Sequence, residues 1–234
     1  MKQTGMPAPI LQVKDLKTHI FLRRGVVKAV DGVSFNLSLG ETLGLVGESG
    51  FGKSMTCLSI LRLTPQPGGR IVGGQVLFEG EDLLKKSNLE MRKIRGKSIA
   101  MILQDPMTSL NPVFSVGTQV AEVVRIHQGL QGKRLWEKVY DALKLLRISD
   151  PETRAKAYPH QMSGGMRQRI VGAMAITCEP KILIADEPTT SLDATIQAQY
   201  LRLLKSIQAS AGLAMIFITH DFGIVARMCD RVAV

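Results

Sequence analysis

The segment Gly47–Ser54, GESGFGKS, constrains this chain more than any other stretch. It has the spacing G-x-x-x-x-G-K-S and stands between an apolar run, Thr42–Val46, and a helical pattern that opens near Lys53. A loop of this kind turns successive backbone N–H groups toward one point, and the helix that follows adds the positive end of its dipole. A phosphate group is the ligand that needs so many converging donors. Lys53 is placed to reach the β and γ phosphates of a nucleotide as a point charge, and the Ser54 hydroxyl to ligate Mg²⁺. With Gly and Lys at ordinary frequencies, a chance match in a chain of this length is on the order of one in a hundred. The spacing predicts a strand–loop–helix unit, and with it an α/β fold.

Three further runs, Ser98–Leu103, Lys181–Ala185 and Leu213–Thr219, are near-continuously apolar without period-two alternation. That pattern suits parallel strands covered on both faces. Helical stripes lie between them: Leu135, Val139, Ala142, Leu143 and Leu146 in one, Ile196, Tyr200, Leu203, Leu204 and Ile207 in another. Both read as core faces. Leu11–Asp15, Val33–Leu37 and Gln75–Phe78 read as short strands with Gly-containing turns, which implies an antiparallel β layer beside the core. Helical spacing without a strong strand runs from about Asp105 to Gln161. The expected fold is α/β, of the phosphate-loop NTPase kind, with a mostly parallel core sheet, an antiparallel β subdomain and an inserted helical subdomain. The whole of 1–234 is expected to form a single domain, its core about 1–104 and 166–234 and its helical part about 105–165.

Ligands of open α/β sheets bind at the carboxyl ends of the strands. The four runs end at Gly47, Gln104, Asp186–Glu187 and His220, so these residues are expected to serve one site. In KILIADEP, Lys181–Pro188, Asp186 is placed to hold Mg²⁺ and Glu187 to polarise a water that attacks the γ phosphorus. Paired acids at a strand end are common, and it is the phosphate loop that gives them this meaning. In MSGGMRQR, Met162–Arg169, Ser163, Gly164 and Gly165 open a helix and form a second anion-binding helix end. One loop already serves one nucleotide, so a second such element suggests a nucleotide held between two subunits; a plain N-capped helix is the alternative. Gln104 and His220 are weak signals singly, and Ser191–Asp193 reads equally well as a helix N-cap before Ala194.

Composition removes other classes. Of 234 residues, 45% are hydrophobic and 21% charged, a mixture that fits neither a disordered nor a membrane-spanning chain. Leu213–Ile218, among the longest apolar stretches, falls far short of the roughly 20 residues a spanning helix needs. Met1–Asp15 holds no long apolar run, so no secretory signal is expected. Cys57, Cys178 and Cys229 suggest neither a disulfide framework nor a zinc site, and fit a reducing cytosol. Thirty Lys and Arg against twenty Asp and Glu give a formal charge of +10. The basic residues are scattered and lack aromatic interleaving, so a solvated surface is expected and no nucleic-acid partner.

The order of motifs, from the phosphate loop through Gln104, MSGGMRQR, ILIADEP with SLD, to ITHD, resembles the nucleotide-binding subunit of ATP-binding-cassette transporters. The SGG motif is the specific one. More narrowly, GVVKAVDGVSF, QDPMTSLNPVFSVGTQVAE and YPHQMSGGMRQR are similar to the dipeptide, oligopeptide and nickel import subfamily, and IRGKSIAMILQDPMTSLNP to the first of its two unlike ATPase subunits. The resemblance implies an ATPase motor for import of peptides or nickel, with ATP and Mg²⁺. Gly47, Glu48, Ser49, Gly50, Phe51, Gly52, Lys53, Ser54 and Met55 would form the nucleotide loop, and Phe21 is the candidate for stacking on adenine. Ser54, Gln104 and Asp186 would serve Mg²⁺, Glu187 would act as base, and His220 would contact the γ phosphate. Gln104 would also sense the attacking water and link to the membrane subunits. Ser163, Gly164, Gly165 and Gln168 would close on a partner's ATP, with Asp193 crossing the dimer interface. The implied partners are a second, non-identical cassette subunit, integral membrane permease subunits and, indirectly, a substrate-binding protein. The implied location is peripheral, on the cytoplasmic face of the inner membrane.

The chain departs from the family pattern at three places. Phe51 occupies a loop position usually held by a small residue, Met162 replaces the usual Leu, and the chain stops at Val234 within DRVAV, where a further strand and a C-terminal extension are expected. A soluble relative acting on DNA or ribosomes would be expected to carry two cassettes, a long coiled coil or zinc-binding cysteines. A sensor that binds ATP without hydrolysing it sits badly with Glu187 and His220.

Overall fold

The computed structural model describes residues 9–105 and 109–234. In chain order the elements are β1 (Leu11–Leu22), β2 (Gly25–Leu37), β3 (Thr42–Val46), α1 (Lys53–Ile60), β4 (Gly69–Phe78), β5 (Glu81–Asp82), α2 (Asn88–Ile94) and β6 (Ile99–Ile102). Then come α3 (Val116–Gln128), α4 (Gly132–Leu145), α5 (Pro151–Ala155), α6 (Gly164–Ile176), β7 (Ile182–Asp186), α7 (Ala194–Ala211), β8 (Ala214–Thr219), α8 (Phe222–Met228) and β9 (Arg231–Ala233). They form two compact units. The first comprises the chain up to Arg92 together with Ala214–Val234; the second is Lys93–Leu213.

The first unit contains an antiparallel sheet in the order β2-β1-β4-β5. Its strands are longer than the hydrophobic pattern predicts. In β1 the inward residues are Leu11, Val13, Leu16 and Thr18, so the alternation slips by one residue in the middle. A register shift between Val13 and Leu16, with Asp15 at φ +46°, absorbs the extra residue and returns Leu16 to the buried face. The first residues of β2, Gly25–Lys28, are exposed and do not alternate apolar with polar, yet Leu22↔Gly25 closes the hairpin. Beside this sheet lies a parallel ladder in which β3 pairs with both β8 and β9. Every residue of β3 and β8 is buried, as a near-continuous apolar strand requires when both faces are covered. The hydroxyls of Thr18 on β1 and Ser59 on α1, both fully buried, meet at 2.7 Å and tie the antiparallel sheet to the helix after the phosphate loop.

The second unit holds the parallel pair β6–β7, from Ile99↔Ile182 to Ile102↔Ala185, and the helices α3 to α7. The stripe Leu135, Val139, Ala142, Leu143 and Leu146 is buried throughout, and so are Tyr200, Leu203, Leu204 and Ile207 on α7. Each Leu, Ile and Val among them contributes roughly 1.5–3 kcal/mol by leaving water. Tyr200 donates its hydroxyl to the Gln168 carbonyl at 3.4 Å, and burial pushes its phenol well above the ordinary range. Among the described residues, no helix is long and apolar enough to cross a membrane.

Candidate functional site

In the first unit β3 delivers the chain to the loop 47–52, and α1 begins at Lys53 as predicted. The N-cap of α1 is Gly52, at φ +83°, with no side-chain cap and no acidic residue in the first turn. By contrast Ser115, Ser163, Asp193 and Asp221 cap α3, α6, α7 and α8 with their own side chains. A helix start left without such a cap, at the end of a glycine-rich loop, suits a phosphate. A β-carbon at Gly52 would lie 2.2 Å from the Ala29 carbonyl oxygen on β2, so glycine is demanded there twice. The Lys53 ammonium donates to the carbonyls of Gly47 and Glu48, both at 2.7 Å, which holds the charge over the loop. Glu48, Ser49 and Gly50 are exposed, while Gly52, Ser54 and Met55 are half-buried. Phe51 is 73% exposed, at the rim of a cleft of about 580 Å³ that Phe35, Leu45, Gly47 and Lys53 help to line.

Two other predicted residues belong to this unit. Val46↔Thr219 is the last pair of the β3–β8 ladder, so Gly47 and His220 leave adjacent strands at the same end. Phe21 lies near the tip of the β1–β2 hairpin, 42% exposed, with the Arg70 guanidinium 5.5 Å from its ring centre.

The second unit brings together the residues that follow β6 and β7. Asp186 is buried at the end of β7, and Glu187 is half-buried with φ +43°, a left-handed conformation that side chains of its size rarely adopt. Gln104 donates its Nε2 to Glu187 Oε2 at 3.0 Å. Thr190 donates its hydroxyl to the same oxygen at 2.9 Å and its backbone N–H to the Glu187 carbonyl at 3.3 Å. The sequence alone does not single out Thr190. Its only signal there is a hydroxyl three residues after an acid in a polar turn, the spacing of a side chain that folds back on its own turn.

Ser163 and Gly164 are exposed at the start of α6, where the Ser163 hydroxyl accepts from the Met166 N–H at 3.3 Å. A β-carbon at Gly165 would meet Ile196 at 2.7 Å, whereas one at Gly164 would meet nothing within 4 Å. Packing within this chain therefore explains the second glycine and not the first. Gln168, which the resemblance groups with Ser163, Gly164 and Gly165 as closing on a partner's ATP, is 1% exposed in this chain, and its Nε2 has no hydrogen-bond partner among the described residues. Helical pitch carries it to the inward face shared by Val171 and Ala175, away from the exposed start of α6. Asp193 accepts from the N–H groups of Thr195 and Ile196 at 3.1 and 3.0 Å, the N-cap that its spacing before α7 allows.

The donors predicted for a metal are a hydroxyl (Ser54), an amide (Gln104) and one carboxylate (Asp186). Among the described residues there is no group of three or more His, Cys, Asp or Glu that would hold an ion unaided. A few hard oxygen donors with one carboxylate fit Mg²⁺ that arrives with nucleotide phosphates, rather than a resident soft metal.

Residues 30–190 match the model of the ABC transporter family. The chain is 55% identical over 225 residues to a probable peptide ABC transporter ATP-binding protein of Sinorhizobium fredii, covering 96% of this chain and 67% of the relative. It is 51% identical over 225 residues to the oligopeptide transport ATP-binding protein OppD of Bacillus subtilis, covering 96% of this chain and 63% of that one. Against DppD of the same organism, a dipeptide transport ATP-binding protein, the figures are 52%, 96% and 67%. The chain thus spans about two thirds of the length of these relatives, and less than that of OppD. A dimeric ATP-binding cassette, solved in a post-hydrolysis state with ADP and Pi, superposes with a TM-score of 0.83 at 25% identity, over 95% of this chain and 92% of that one. For cbiO1 of Clostridium perfringens the TM-score is 0.79 at 28% identity, over 96% and 83%. The loop at 47–54, the capped helix at Ser163 and the β7 end at Asp186–Glu187 all fall inside the matched segment, and the chain belongs to the ABC transporter family as an ATP-binding domain.

Proposed function

We propose that the chain is the ATP-hydrolysing motor of a peptide importer. The observation that carries the reading is the Glu187 carboxylate, held by two donors on a single oxygen immediately after the buried Asp186. In this reading the loop amides and Lys53 bind the β and γ phosphates, and Ser54, Gln104 and Asp186 would hold Mg²⁺. Bound there, Mg²⁺ would neutralise charge on the phosphate oxygens. Glu187 orients a water and takes its proton as the water attacks, and His220 donates toward the γ phosphate. Phe21 stacks on adenine, and Ser163, Gly164 and Gly165 contact a nucleotide carried by a second cassette subunit, with Asp193 beside that interface. The unexplained glycine at Gly164 supports such an approach, because nothing in this chain needs the space.

Peptide cargo is supported by what the relatives are described as carrying. Permease subunits, a non-identical cassette partner and a substrate-binding protein follow from the same reading, with the chain peripheral on the cytoplasmic face of the membrane and residues of about 105–165 serving as its helical subdomain. The deciding experiment is Glu187→Gln, which keeps the size but removes the basicity. ATP should still bind, since Lys53 and the loop are untouched, while phosphate release falls by at least the ~10²-fold of a lost general base. Peptide uptake into proteoliposomes should fall with it. Turnover at the parent rate would remove Glu187 from the chemistry.

A further inference from the structure

We propose that Thr190 is a positioning residue for Glu187. The inference rests on the reading of Glu187 as the group that orients the attacking water. A glutamate has three side-chain torsions, and ordering such a chain costs up to about 1.5–2 kcal/mol. Here the carboxylate is held from two directions, by Gln104 Nε2 at 3.0 Å and by Thr190 Oγ1 at 2.9 Å, and both donors converge on Oε2. With that oxygen fixed, the plane of the carboxylate is fixed as well.

The two donors differ in how they are themselves held. Gln104 lies just beyond β6 and reaches across to the neighbouring strand end. Thr190 belongs to the same turn as Glu187, and its backbone N–H accompanies the hydroxyl by donating to the Glu187 carbonyl. That turn is anchored in its own right. Thr189 is buried and its hydroxyl accepts from Gln197 Nε2 on α7 at 3.0 Å, while the Leu192 N–H donates to the Thr189 carbonyl at 3.1 Å. The left-handed backbone at Glu187, φ +43°, is kept by a turn that is bonded at both ends. Thr190 thus carries the rigidity of the α7 start to the carboxylate, and Gln104 does not.

The test compares five variants, Thr190→Val, Thr190→Ser, Thr190→Ala, Glu187→Gln and Thr190→Val combined with Glu187→Gln, in steady-state phosphate release by the purified protein, alone and with its membrane subunits. Thr190→Val keeps the shape and removes the hydroxyl; Thr190→Ser keeps the hydroxyl. Removing a hydrogen bond to a charged group should lower kcat at least about tenfold in Thr190→Val, with KM for ATP within about twofold, because no phosphate contact is touched. Thr190→Ser should stay within about twofold of the parent. Thr190→Ala, which asks the turn to hold no branched apolar group, should show the same loss as Thr190→Val. Added to Glu187→Gln, Thr190→Val should lower the residual rate no further, since its effect runs through that carboxylate. An unchanged kcat in Thr190→Val, a loss that serine does not restore, or an equal further loss in the Glu187→Gln background overturns the proposal. The reading beneath it fails separately: Glu187→Gln at the parent rate removes Glu187 from catalysis, whereas an inactive Glu187→Gln with an unaffected Thr190→Val removes Thr190 alone.

Discussion

Gly52→Ala asks the phosphate loop for two things it cannot supply. The residue sits at φ +83°, and a left-handed conformation costs an alanine about 1–2 kcal/mol. The new methyl would also lie 2.2 Å from the Ala29 oxygen, where side-chain carbons keep at least 3.0 Å, so loop or strand must shift by roughly 1 Å. The obstacle is backbone on a paired strand and has no rotamer into which to retreat. Together the two effects should destabilise the fold by about 2–4 kcal/mol, or roughly 5–15 °C in melting temperature for a chain of this size. A 1 Å displacement of aligned donors can cost ~10²-fold in function, so affinity for a fluorescent ATP analogue should fall at least about tenfold. Gly50→Ala is the control, because Gly50 has φ +90° but nothing within 4 Å of its β-carbon position. It should show the conformational cost without the displacement. If the two variants melt and bind alike, the contact with Ala29 carries no weight and the reasoning fails.

Lys53→Ala removes the ammonium that Gly47 and Glu48 hold in place, and should weaken binding of the same analogue at least about tenfold by equilibrium titration. Ser59→Ala should cost about 1–3 kcal/mol in denaturant unfolding, because it strands the buried Thr18 hydroxyl; adding Thr18→Val should recover part of that loss. His127 packs against Gly96, and its imidazole is held below the ordinary value of 6.5, first by burial and then by the charge of Lys97. With the folded value depressed, the neutral form contributes stability that is fully present above pH about 6.5 and is lost as pH falls through the folded value. Melting curves of His127→Asn should therefore fall less steeply than those of the parent below pH about 6.5.

How much of this is legible in sequence depends on whether burial is two-sided. The predicted run Thr42–Val46 is β3 residue for residue, and Lys181–Ala185 and Leu213–Thr219 miss β7 and β8 by a single residue, because a strand covered on both faces shows its whole length as apolar side chains. The antiparallel strands are half-exposed, so Leu11–Asp15 stops at the bulge that lets β1 continue to Leu22, and Val33–Leu37 misses the exposed first half of β2. Motif spacing singles out the loop, Gln104 and Glu187, which follow β3, β6 and β7. It does not say which face of α6 the Gln168 amide occupies, and it passes over Thr190, whose bond to Glu187 depends on a turn that only the folded backbone defines.

The missing cap on α1 has a thermodynamic corollary. A side-chain cap is worth about 0.5–2 kcal/mol to a helix end, and α3, α6, α7 and α8 each carry one where α1 does not. Local opening is drawn from the least restrained parts of a structure. The starts of α4 and α5 lack a side-chain cap as well, but only α1 follows the phosphate loop. Its first turn is therefore a place where the fold holds stability in reserve for a ligand to complete, and amide exchange there is a built-in gauge of occupancy. Its protection should rise with nucleotide far more than that of the first turn of α3, which Ser115 already closes.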